Sequence, residues 1–223
     1  MPTTALIFDF DGLLMDTEST MLASWQYEWR QYQLELAADG FFAEHGGDVS
    51  EQRYARLASA VGPGYDQAAS HARRVAHRDE LNAALDLEPG IRAWLDQADE
   101  LGLRLAVASS SPRAWVTRLL DQVGQLARFA SVVCGDEVEQ VKPDPGVYLL
   151  ALDQLGVPPE QVVAFEDSPH GVAAAKAAGL RCVAVPNRHT DPARFGAADI
   201  LLTSAKDRPL TGILAAWGGR STR

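Results

Sequence analysis

The 223-residue chain holds only two cysteines, three methionines and three lysines, and its 20 basic residues are outnumbered by 30 acidic ones, for a formal charge of −10. Two thiols cannot staple a fold of this length. Cys134 and Cys182 each sit in an apolar, strand-like run and are expected to be buried and reduced. The shortage of positive charge excludes wholesale binding to nucleic acid or to an anionic lipid surface, both of which need a concentrated basic face. Long apolar runs are missing too, so no segment reads as a membrane span. Met1-Pro2-Thr3-Thr4 passes directly into a strand-like run, without the basic region and apolar stretch of a secretory signal. What is left is a cytoplasmic protein that handles a small molecule and is expected to be a monomer or a small homo-oligomer.

Short runs rich in Val, Ile, Leu and Ala are plentiful. They span residues 5–10, 103–109, 130–135, 161–166 and 181–185, and each has the character of a buried strand. Helix-like segments separate most of them: Pro89 to Gly102, Pro112 to Gly124, Pro145 to Gly156 and Pro169 to Gly179. Each starts near a proline, whose fixed φ suits a first turn, and stops at a glycine. Strand and helix in alternation imply right-handed crossovers and an α/β fold, a Rossmann-like, doubly wound parallel sheet covered on both faces.

From about Glu18 to Asp86 the alternation stops, and only helical pattern is found, broken at Gly46-Gly47 and Gly62-Pro63-Gly64. The stretch holds eight of the seventeen aromatic residues, Trp25, Tyr27, Trp29 and Tyr32 among them, enough for a small core of its own. The expected organisation is a core domain of residues 1–17 and 87–223 with a helical domain, 18–86, inserted after the first strand. The tail Gly218 to Arg223 reads as disordered.

Ligands of doubly wound sheets bind beyond the carboxyl ends of the strands, so polar residues that close apolar runs are the candidates for chemistry. The first run closes on Asp9-Phe10-Asp11-Gly12, the second on Ser109-Ser110-Ser111 and the fourth on Glu166-Asp167-Ser168; Lys142-Pro143 follows the third. Two carboxylates as close as Asp9 and Asp11 repel unless a cation or a shared proton compensates. Gly12 permits a tight turn that could aim Asp11 elsewhere, leaving one carboxylate to attack phosphorus and the other to manage a leaving-group proton. Read alone, Asp-x-Asp-Gly is equally a turn closing a strand, Lys142 a solvated charge and Ser109 a helix cap. Together, Asp9, Glu166 and Asp167 form an oxygen-only set suited to magnesium, and Lys142 and Ser109 supply charge and a hydrogen-bond donor for a transferring phosphoryl group.

These motifs resemble those of the haloacid dehalogenase superfamily. Residues 8–18, FDFDGLLMDTE, are similar to its nucleophile motif, and Ser109, Lys142-Pro143 and residues 165–171, FEDSPHG, follow its other three in order. Asp16-Thr17-Glu18 and Lys142-Pro143-Asp144-Pro145 resemble the β-phosphoglucomutase-like phosphatase subgroup, whereas Val141 and Gly146 depart from its usual small and acidic residues. The resemblance implies a cap inserted after the first motif, an aspartyl-phosphate on Asp9 and acid then base catalysis by Asp11. It also implies magnesium on Asp9, the Asp11 backbone carbonyl and Asp167, with Glu166 in or near the shell. Gly12, Ser110 and Arg113 are the implied phosphate or substrate contacts.

Within such a family, Asp11 argues against dehalogenation, which needs no protonated leaving group. The lysines Lys142, Lys176 and Lys206 all lie outside the inserted domain, which argues against a Schiff-base phosphonatase. The expected activity is magnesium-dependent hydrolysis of a small phosphorylated metabolite. The alternative is a sugar phosphomutase, which needs a cationic grip on a second phosphate that Arg53, Arg56, Arg73, Arg74 and Arg78 could supply. Against it, Met21 and Glu51 stand where β-phosphoglucomutases carry His and Arg.

Overall fold

A computed structural model describes residues 2–42 and 49–217 of the chain. It divides into two compact units, one of Met1–Asp16 with Asp86–Arg223 and one of Thr17–Leu85.

The larger unit is built on a six-stranded sheet in the order β3-β2-β1-β4-β5-β6. Its strands are β1 (Ala5–Phe8), β2 (Arg104–Ala108), β3 (Ser131–Val133), β4 (Val162–Glu166), β5 (Arg181–Ala184) and β6 (Ile200–Leu201), and every pairing is parallel. Five match the apolar runs of the sequence. The sixth is a correction to that reading: two residues, one of them exposed, make no apolar run, and β6 is a strand only because it pairs with β5.

Side chains alternate across the sheet and feed two layers. Ala5 and Ile7 of β1 join Ala106, Ala108, Ala164 and Cys182 on one face, under helices α6 (Gly146–Leu155) and α7 (Pro169–Ala177). On the other face Phe8 stacks on Phe165, their centroids 4.8 Å apart, and Trp94 of α4 (Ile91–Glu100) packs 4.9 Å from Phe165. Such ring pairs add about 0.5–1.5 kcal/mol to the burial of their area. Helix α5 (Arg113–Gln122) buries Val116, Leu119 and Leu120, and a short α8 (Leu210–Leu214), which the sequence did not suggest, buries Leu210 and Ile213. Cys134 and Cys182 are free and buried, and burial pushes the Cys134 thiol up to about 12.

The smaller unit is helical: α1 (Thr17–Arg30), α2 (Ser50–Val61) and α3 (Gln67–Ala83). It has its own core, in which Trp25, Trp29, Tyr54 and Leu57 pack with Leu22, Leu36 and Phe42. Gly62-Pro63-Gly64 separates α2 from α3, whose first turn is capped by Asp66 accepting from the Ala69 amide at 3.0 Å. Polar groups are paired inside: Glu28, fully buried, meets Arg73 at 2.6 Å, and buried Arg74 donates to the Tyr54 hydroxyl at 2.7 Å. Gly46-Gly47 and the tail from Gly218 to Arg223 lie outside the described residues. Among the described residues, no helix is long and apolar enough to cross a membrane.

Candidate active site

The site is assembled at the carboxyl ends of neighbouring strands. Parallel pairing of β1 with β4 sets Phe8 opposite Phe165, so Asp9 and Glu166, the next residues, emerge side by side. Asp9, Glu166 and Asp167 are buried, and one carboxylate oxygen from each lies within 4.8 Å of the other two. Three carboxylates at this spacing repel, and the cation beside them is Lys142, brought in by the loop before α6. Its ammonium bonds Asp9 and lies 2.6 Å from Glu166 Oε1, and the Lys142–Pro143 peptide is cis. Burial, with the charge of Glu166, pushes the Asp9 carboxyl up to about 8 although Lys142 pulls it down. Lys142 is raised by Asp9 and Glu166, whose attraction outweighs its burial, and stays charged.

Two glycines let these groups meet. A Cβ on Gly171, in the first turn of α7, would fall 1.9 Å from Glu166 Oε2. Gly12 has φ +84°, and a Cβ there would lie 2.0 Å from Asp167 Oδ2. The Gly12 turn closes with its amide donating to the Met15 carbonyl at 2.8 Å. The Asp11 carboxylate faces β2 and α5: Ser111 Oγ lies 2.6 Å from Oδ2, Ser109 Oγ 3.4 Å from Oδ2, and Trp115 Nε1 3.0 Å from Oδ1.

Asp9, Lys142, Glu166 and Asp167 are thus in one cluster, and Ser109, buried at the end of β2, lies 3.4 Å from Asp11 Oδ2. Ser110 is exposed beside Ser109. Arg113 is not drawn in: its guanidinium bonds Glu137 at 2.8 Å and the Val132 carbonyl, and its amide is held by Asp136. Three contacts were missed by sequence reasoning, and a fourth, Ser111, was named there only as part of the strand-end serine run. Tyr148 of α6 donates to Glu166, and burial, then the Glu166 charge, raises its phenol well above the ordinary value, so it remains a donor. Asn187 donates to Asp167 Oδ2 at 2.6 Å. Ser111 and Trp115 hold Asp11. Asn187 and Ser111 follow apolar strands and were findable by the strand-end rule; Tyr148 and Trp115 lie inside helix-like segments, away from the strand ends, where that rule gives no signal.

An oxygen-only donor set, buried, short of positive charge and braced by Lys142 and Asn187, fits magnesium. The sheet order and these strand-end carboxylates define a Rossmann-like α/β enzyme with an inserted helical domain. More particularly, the chain belongs to the haloacid dehalogenase-like hydrolases, whose family model matches residues 6–185. It is 37% identical to YhcW of Bacillus subtilis (strain 168), covering 94% of this chain and 96% of that one. It is 34% identical to a phosphorylated carbohydrates phosphatase of Thermotoga maritima, covering 79% and 82% of the two chains. Among solved structures it is similar to CbbY from Rhodobacter sphaeroides in complex with phosphate, with TM-score 0.74 and 31% identity over 92% of this chain and 96% of that one.

Proposed function

We propose that this hydrolase is a magnesium-dependent phosphatase that removes phosphate from a phosphorylated carbohydrate through an aspartyl-phosphate on Asp9. The observation that carries the reading is the union of Asp9, Lys142, Glu166 and Asp167 in one buried cluster. Magnesium would be held by Asp9 and Asp167, with Glu166 close by and the Asp11 backbone carbonyl as a further ligand. When bound, it balances the carboxylates and draws in the phosphate dianion.

An Asp9 carboxylate oxygen attacks phosphorus, the bond from phosphorus to the ester oxygen breaks, and Asp11 gives that oxygen its proton. Lys142 and Ser109 stabilise the charge on the transferring group, with Gly12 and Ser110 lining its seat. Asp11, now a carboxylate, takes a proton from water as that water attacks phosphorus. The bond to Asp9 breaks, inorganic phosphate leaves and Asp9 is restored. The Thermotoga relative, a phosphatase of phosphorylated carbohydrates, supports the substrate class.

Mutase activity is disfavoured by how the helical unit uses three of those five arginines. Arg73 and Arg74 are committed to Glu28, Tyr32 and Tyr54, and Arg53 donates to the Phe41 carbonyl at 2.9 Å and approaches Met21 Sδ at 3.4 Å. The test is phosphate release from a panel of sugar monophosphates with magnesium and without a bisphosphate primer. Steady release is expected, with none from Asp9→Asn. Interconversion of sugar monophosphates that requires a bisphosphate and frees little phosphate would overturn the reading.

A further inference from the structure

We infer that Trp115, together with Ser111, is a positioning residue that holds the Asp11 carboxyl group in the direction its acid and base role requires; this rests on the reading of Asp11 as the acid and base. The two oxygens have different partners. Oδ1 receives the Trp115 indole N–H at 3.0 Å, and Oδ2 faces the Ser111 hydroxyl at 2.6 Å. An indole N–H only donates, whereas a hydroxyl donates or accepts. The ring therefore gives the carboxyl group one donor of fixed direction at Oδ1, and two hydroxyls meet Oδ2, since Ser109 Oγ also lies 3.4 Å from it. A group that hands a proton to the departing ester oxygen must be held in line with that oxygen.

The platform that presents these two groups is stiff. Trp115 stands in the first turn of α5, whose Val116, Leu119 and Leu120 are buried, and its amide bonds the Pro112 carbonyl at 3.0 Å. The Arg118 guanidinium lies 5.3 Å from its ring centroid. Ser111 is fixed at both backbone groups, its amide to Ser109 Oγ at 3.0 Å and its carbonyl to the Gly135 amide at 3.0 Å. The Asp11 carboxylate is thus met by groups from the segment after β2 and from the first turn of α5.

A proton donor matters most when the leaving group is a strong base. The test compares kcat/KM for phenyl phosphate, whose leaving phenolate has a pKa of about 10, with that for p-nitrophenyl phosphate, whose leaving group is a much weaker base. The full chain is used, with magnesium, as wild type, Trp115→Phe, Asp11→Asn and the double variant. Because kcat/KM reports the step that expels the leaving group, Trp115→Phe is expected to raise the p-nitrophenyl to phenyl ratio by roughly tenfold, part of the 10²–10⁴ that such catalysis supplies. Asp11→Asn should raise it further, and Trp115→Phe should add nothing to that variant. A purely structural role would depress both substrates alike, and that result, or an effect persisting in Asp11→Asn, would overturn the inference while leaving Asp11 as the acid. An unchanged ratio in Asp11→Asn would overturn the acid and base reading itself and this inference with it. If Trp115→Phe does not fold, Ser111→Ala carries the same comparison, with the same outcomes.

Discussion

The Lys142 ammonium lies 2.6 Å from Glu166 Oε1 while it also bonds Asp9, so one buried cation serves carboxylates from two adjacent strands. Removing a partner from a buried ionic cluster leaves uncompensated charge, which costs about 3–5 kcal/mol. Lys142→Met should lower the stability of the metal-free protein by an amount of that order in urea unfolding, and should cut turnover by about a hundredfold or more. A variant with wild-type stability and rate would show that the pair is not the organising contact of the site.

Magnesium binding should be linked to protons. Burial holds the Asp9 carboxyl of the metal-free protein at about 8, so below that pH the carboxyl carries a proton that a cation must displace. Affinity is then expected to fall as pH drops from 8 towards 6, by up to about tenfold per unit. Calorimetric titration in buffers of different ionisation enthalpy should read nearly one proton released per magnesium at pH 6.5 and little at pH 9. An affinity independent of pH would contradict the assignment.

Gly171 is the residue whose Cβ would collide with Glu166. Gly171→Ala forces the carboxylate or the first turn of α7 to move, a strain of about 1–3 kcal/mol by the usual cost of overpacking. The melting temperature should fall and magnesium should bind more weakly, with the far-ultraviolet dichroism unchanged. Unaltered metal affinity would mean that Glu166 lies outside the ion's reach.

Away from the site, Asp199 ties β5 to α7. Burial opposes its ionisation, but the Lys176 ammonium and the Cys182 amide, each at 2.7 Å, outweigh it and hold the pKa below the ordinary value. A carboxyl depressed in the folded state adds stability above its unfolded pKa of about 3.9 and loses it as pH falls through the folded value. Asp199→Asn should therefore cost about 1 kcal/mol at pH 7, allowing for solvent around Lys176. The two proteins should draw together in urea midpoint as pH falls below about 3.9 and coincide beneath the folded value.

Much of this protein was determined locally. Buried strands such as Ala5–Phe8 and Val162–Glu166 are apolar throughout because both faces of a parallel sheet are covered, and a proline start with a glycine stop marks the helices between them. Asp9, Ser109 and Glu166 could be read as candidate site residues because each closes or directly follows such a run. The helical insertion showed itself by the absence of strand pattern. Tertiary structure alone decided the rest. Alternation of strand and helix does not state strand order; the pairing of β1 with both β2 and β4 does, and it sets Asp9 beside Glu166 and Asp11 across from Ser111 and Trp115. Trp115 and Tyr148 lie inside helical segments, away from the strand ends, and only the packed fold shows where the single polar atom of each ring is aimed. Strand β6 has no signal of its own, since two residues bury too little to mark a strand until β5 supplies the hydrogen bonds.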